Sequence, residues 1–128
     1  TENHREKLFG RKIMAELESK TQKKIIDVVR KYGGYIYKNA QNMYTEKGRP
    51  DLTACIPTTL STLTSLFGQD AKIGIFVGLE VKRTGHLNEV SPAQEVVGRQ
   101  ITNASGLWYA VDDPKIVEAL MKRLTGEK

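Results

Sequence analysis

The stretch from Lys72 to Arg83, KIGIFVGLEVKR, limits what this chain can become more than any other. Side chains alternate across a strand, so Ile75, Val77, Leu79 and Val81 share one face while Gly78, Glu80 and Lys82 share the other. The pattern predicts a buried strand whose far end presents a carboxylate beside an ammonium ion. Charge taken out of water must be paired, solvated or bound to a metal. The strand therefore poses a question of chemistry as well as of folding.

The chain before it divides in three. Residues 1–10 are polar and expected to fray. From Arg11 to Tyr32 the spacing turns helical, with Ile25, Val28, Val29 and Tyr32 on one stripe that runs back to Gln22 and Glu18. Gly33-Gly34 ends that helix. Tyr35-Ile36-Tyr37 predicts a first strand, Asn39 to Arg49 a polar loop, and Pro50 the opening of a second strand through Leu52, Ala54 and Ile56. The segment 58–71 reads as a short helix or an irregular insertion ending at Gly68, with a long hairpin as the competing reading.

After the organising strand, Ser91-Pro92-Ala93-Gln94 is a helix start, with serine as N-cap, proline in the first turn and glutamine three residues on. Ala93, Val97, Ile101 and Ala104 form its apolar face, and Gly106 is placed to end it. Leu107 to Val111 predicts the last strand. Asp113 caps a final helix opened by Pro114, with Ile116, Val117, Leu120 and Leu124 inward. The order is helix, three strands, helix, strand, helix. It predicts a single α/β domain over residues 1–128, with one mixed sheet covered by helices.

Composition narrows the setting. At 39% hydrophobic and 27% charged, the chain resembles an ordinary globular protein. No apolar run approaches the roughly 20 residues of a membrane helix, and the start carries no signal-peptide pattern. A lone cysteine, Cys55, allows no internal disulfide and fits a reducing compartment, so a cytoplasmic location is expected. Residues 1–38 hold ten Lys or Arg against five Asp or Glu, while residues 39–128 hold ten against ten, so the whole +5 surplus sits in the first third. Clustered base favours a polyanionic partner such as nucleic acid; a solvated helix face is the plainer alternative.

Few residues could carry chemistry. Cys55 sits in an apolar strand without a histidine partner and reads as a small core residue. His86 lies in a loop beside Gly85, where bulk solvent explains it. Zinc spacing and a phosphate-binding glycine loop are both absent. A carboxylate set remains: Asp51, Glu80 and Glu18, with Lys82. Oxygens converging in this way suit Mg2+ or Mn2+, which polarise a phosphoryl oxygen and activate water. A neighbouring lysine can orient that water or stabilise charge on the pentavalent phosphorus. An acidic residue two before a lysine occurs four times in the chain. Only Glu80-Val81-Lys82 has a strand behind it and a Pro-Asp strand start before it. The competing reading is a surface ion pair.

Pro50-Asp51 on one strand and Glu80-Val81-Lys82 on the next resemble the PD-(D/E)XK nuclease superfamily. Gly48-Arg49-Pro50-Asp51-Leu52, Gly78-Leu79-Glu80-Val81-Lys82, Ser91-Pro92-Ala93-Gln94 and the leading Glu18 resemble its VRR-NUC branch, the virus-type replication and repair nucleases. The likeness runs from Glu18 to about Leu120. It implies a restriction-endonuclease-like core in which Asp51 and Glu80 hold the metal and Lys82 acts at the reacting phosphate. Gln94 would support the site from its helix, and Glu18 would complete the acidic cluster. As alternatives, Gln94 is half of a capping box and Glu18 a solvated helix residue. The segment 58–71 is longer than a minimal member needs.

The activity so implied is metal-dependent endonuclease cleavage of DNA, with a preference for branches such as flaps or four-way junctions, in a bacterial or phage-infected cell. Lys20, Lys23, Lys24, Arg30, Lys31 and Lys38 are candidates for phosphate contacts, with Arg49 and Arg83 nearer the scissile bond. A small domain gripping a junction suggests a homodimer. A DNA-binding or assembly module that keeps the fold without catalysis is the alternative.

Overall fold

The computed structural model describes residues 2–42, 44 and 46–127 and is mixed α/β, with four α-helices and two two-stranded sheets among those residues. The chain divides into two compact units, Thr1–Ile56 and Pro57–Lys128. No helix among the described residues is long and apolar enough to cross a membrane.

The first unit is one long helix and a hairpin: α1 (Glu2–Lys31), β1 (Tyr35–Lys38) and β2 (Leu52–Cys55). The helix takes in residues 2–10, expected as a frayed lead-in, because that stretch is rich in Glu, Lys, Arg and Leu and holds no proline. Its covered face is Gln22, Ile26 and Val29, while Ile25, Val28 and Tyr32 of the expected stripe are exposed. Gly33 turns the chain at φ 82°, and Gly34 allows a close approach: a Cβ there would lie 2.7 Å from Val29 Cγ1 and 3.1 Å from the Cys55 carbonyl oxygen. β1 and β2 pair antiparallel from Tyr35↔Cys55 to Lys38↔Leu52, with Ile36 and Cys55 buried.

The second unit runs α2 (Leu60–Phe67), β3 (Val77–Val81), a 3-10 turn (Leu87–Glu89), α3 (Pro92–Asn103), β4 (Leu107–Val111) and α4 (Pro114–Thr125). Segment 58–71 resolves into the short helix, capped by the Thr59 side chain and ended at Gly68. β3 and β4 pair in parallel from Val77↔Leu107 to Val81↔Val111, with α3 as the crossover. The interleaved order predicts one mixed sheet; the pairing found is one short ladder in each unit. β3 is also shorter than the Lys72–Arg83 expectation, because β4 offers partners for five residues. The bonds Leu107 N–H to Phe76 O at 3.0 Å and Lys82 N–H to Val111 O at 2.9 Å extend that pairing by one residue at each end.

The faces of β3 correct a second expectation. Leu79 and Val81, read as buried, are 41% and 70% exposed. The covered face is the one carrying Gly78 and Glu80, and α3 lies on it. The reason is Trp108, the cross-strand partner of Gly78. A Cβ on Gly78 would come within 3.1 Å of Trp108 Cδ1, and a Cβ on Gly98 of α3 within 2.6 Å of Trp108 Cδ2. The indole thus fills the space that two missing side chains leave. This rotates α3 part-way from its expected face: Ile101 and Ala104 are buried as expected, but Gln94 and Gly98 turn inward while Ala93 and Val97 are exposed. The helix ends at Asn103 with Ala104 as its C-cap, and Ser105, left-handed at φ 69°, turns the chain one residue before the expected glycine; Gly106 N–H then closes on Ile101 O at 2.9 Å. Asp113 and Pro114 open α4 as expected, but only Val117 and Leu120 of its predicted inward residues are part-buried.

Gly98→Ala drives a methyl group into the indole and is expected to lower stability by about 1–3 kcal/mol. A reduced urea midpoint at unchanged m-value is the measurement that checks it.

Candidate active site

Glu80 and Lys82 sit on and just past β3, on the face that α3 covers. Lys82 Nζ lies 3.5 Å from Glu80 Oε1, and the two side chains are 17% and 29% exposed. This is a part-buried pair rather than a freely solvated one, so water screens it less than a surface pair. Gln94 reaches the same oxygen, its Nε2 donating to Glu80 Oε1 at 2.8 Å. Both partners converge on Oε1, which leaves Oε2 with no partner among the described residues.

Gln94 caps its helix and also reaches across to β3. Its carboxamide oxygen accepts from Ser91 N–H at 2.9 Å, and its own N–H donates to Ser91 Oγ at 3.2 Å, a complete capping box. The amide nitrogen is then free for Glu80. One side chain therefore starts α3 with one end and holds the carboxylate with the other. The loop after Lys82 is tied to the end of β4: Thr84 Oγ1 donates to Asp112 O at 3.1 Å and Gly85 N–H to Asp112 Oδ2 at 2.9 Å. His86 pairs with Glu89 at 2.8 Å, a carboxylate that Arg83 also approaches at 3.7 Å.

The other predicted residues lie in the first unit. Glu18 and Asp51 line one groove of about 440 Å³ with Met14, Leu17, Thr21, Gln22 and Ile25. Gln22 Oε1 is buried there without a hydrogen-bond partner among the described residues. Asp51 follows Pro50 at the loop end of the hairpin, and its carbonyl oxygen accepts from Asn39 N–H at 2.9 Å. Lys20, Lys23, Lys24, Arg30 and Lys31 are exposed on α1. Their spacing places Lys20, Lys24 and Lys31 opposite the Gln22–Ile26–Val29 face that meets the hairpin, with Lys23 and Arg30 on its flank. Lys38, Arg49 and Arg83 are exposed as well.

The structure thus gathers Glu80, Lys82 and Gln94 in the second unit and Glu18 with Asp51 in the first. The donor chemistry fits a hard cation in part. In the second unit Glu80 Oε2 has no partner among the described residues; in the first, Gln22 Oε1 has none and shares its groove with the carboxylates of Glu18 and Asp51, and Mg2+ takes one or two carboxylates and keeps its waters. Among the described residues, no three Asp, Glu, His or Cys side chains cluster closely enough to hold a metal by themselves.

Two ionisable groups elsewhere are perturbed. Burial pushes the Cys55 thiol up, in line with its reading as a core residue. Burial, and then the neighbouring Tyr37, raise the Tyr35 phenol. Asn39, read as mere loop, is the residue that sequence reasoning missed. Its one signal is a short amide placed directly after a strand.

Comparison with protein-family models, with curated proteins and with solved structures finds no match for this chain.

The double attachment of Gln94 separates two substitutions. Ser91→Ala and Gln94→Ala each break the capping box and are expected to cost about 1 kcal/mol of stability in denaturant titration. Only Gln94→Ala also releases Glu80, so only it should depress the activity proposed below.

Proposed function

We propose that this chain is a metal-dependent endonuclease that hydrolyses DNA phosphodiester bonds, selective for branched DNA such as junctions or flaps. Its core would be of the restriction-endonuclease type, in the VRR-NUC branch, with Asp51 and Glu80 holding Mg2+ or Mn2+. The observation that carries the reading is the part-buried cluster at the end of β3. There Lys82 and Gln94 share one oxygen of a carboxylate whose other oxygen has no partner among the described residues. A simple surface ion pair needs neither the amide nor the burial.

The metal, when bound, supplies Lewis-acid stabilisation of the scissile phosphate and a more acidic water. The chain's own groups do the rest. Gln94 fixes the rotamer of Glu80, which makes the carboxylate a preorganised ligand and not a mobile one. Lys82, held beside Glu80, donates to the attacking water or to the phosphoryl oxygen as negative charge builds. Glu18 adds acidic character to the groove that holds Asp51. The basic face of α1, with Lys38, Arg49 and Arg83, grips phosphates without reading bases, so binding weakens as salt rises and little sequence preference is expected. Such an enzyme belongs in the cytoplasm of a bacterium or a phage-infected cell, in repair or junction processing.

A second reading, a DNA-binding module without catalysis, is favoured by one observation: the absence of a three-ligand acidic cluster among the described residues. Labelled single-stranded, duplex, flap and four-way-junction DNA with and without Mn2+ tells the two apart. Cleavage of branched DNA, lost on chelation and reduced about 10²-fold or more by Lys82→Ala or Asp51→Asn, is the expected result. Tight binding with no cutting under any divalent metal would decide for the module.

A homodimer suits paired cuts across a junction. Light scattering at micromolar concentration should then report twice the 14.4 kDa of one chain, and a purely monomeric sample would rule the dimer out.

A further inference from the structure

Asn39 is the one polar residue among those described that is buried, at 5% exposure. It stands where the β1–β2 ladder stops at Lys38↔Leu52. Beyond that point Pro50 has no N–H to continue the pairing. Asn39 takes over. Its Nδ2 donates to Pro50 O at 2.8 Å and to Thr53 Oγ1 at 2.8 Å, its Oδ1 accepts from Arg49 Nη2 at 3.4 Å, and its N–H donates to Asp51 O at 2.9 Å. Both amide protons and the carbonyl of one side chain are used on a single five-residue stretch. That stretch carries Asp51, an exposed carboxylate in the groove it shares with Glu18.

We infer that Asn39 is the positioning residue for Asp51: by bonding the Pro50 carbonyl on one side of it and the Thr53 hydroxyl on the other, the buried amide sets where the carboxylate stands. The inference rests on the reading of Asp51 as a metal ligand. Outer groups that orient a ligand typically govern metal affinity by about 10- to 100-fold. Asn39 also holds Arg49 through Oδ1, so the acidic ligand and a candidate phosphate contact are placed by the same group.

Asn39→Asp keeps the size and removes the two donated bonds. The Mn2+ concentration for half-maximal cleavage is expected to rise about tenfold or more. In the metal-free protein, the backbone amide at position 39 should exchange with solvent on the order of tenfold faster, with α3 amides unchanged. A role in stability alone would lower the active fraction and leave the half-activating concentration in place. That result, or wild-type exchange at position 39, overturns the inference. Should Asn39→Asp fail to fold, Thr53→Val removes a single acceptor and is read by the same two measurements, with a smaller shift in the same direction. A wild-type protein that cuts no DNA sinks the nuclease reading by itself, and the exchange measurement then decides whether Asn39 holds the segment.

Discussion

The second unit depends on one contact, an indole held between two glycines. Trp108 occupies the room that Gly78 and Gly98 leave, and α3 can lie close to the sheet only because neither position carries a side chain. Interiors are packed to near-crystalline density, so a close approach of this kind fixes helix rotation and depth together. With α3 seated this way, Gln94 falls one turn before Gly98 on the inward face and meets Glu80, two residues beyond Gly78 on the same side of β3. The Glu80–Lys82–Gln94 cluster is therefore a by-product of apolar packing. The hydrogen bond at 2.8 Å between Gln94 and Glu80 needs no special loop to hold it.

Much of this was legible in the residues, and the rest was hidden for physical reasons. Caps and breakers read well: Ser91 with Gln94, Asp113 with Pro114, and Gly68 after a short helix all act through local hydrogen bonds or backbone freedom. Periodicity read less well. Helical spacing puts Val97 in the core and leaves Gly98 a gap, yet the gap is the packed position, because the side chain that fills it comes from Trp108 on another element. The same blindness applies to β3, read as buried throughout. Alternation gave the two faces correctly, but which face is covered depends on α3 and not on the strand itself. Ladder length was equally out of reach, since a strand extends only as far as its partner.

The site residues divide along similar lines. Glu80, Lys82 and Gln94 could be brought together from pattern, because a strand and a capped helix start each point their side chains predictably. Asn39 could not. Its value lies in contacts to residues ten to fourteen positions away, across a loop whose path the sequence does not specify. Glu18 and Gln22, four apart on α1, were placed on one face by helical geometry, and both line the groove that holds Asp51. The exposed bases of α1 follow from the same geometry, since the residues facing the hairpin leave the opposite side to solvent.

The shared carboxamide of Gln94 also governs how the site responds to heat. The first turn of a helix opens far more often than the protein as a whole, because such local excursions cost only a fraction of the global unfolding free energy. Each time that turn frays, Ser91 and Glu80 lose their common partner at once. Disorder at the carboxylate is thus set by a few residues at the start of one helix. A warm, still-folded protein can have an intact sheet and a wandering Glu80.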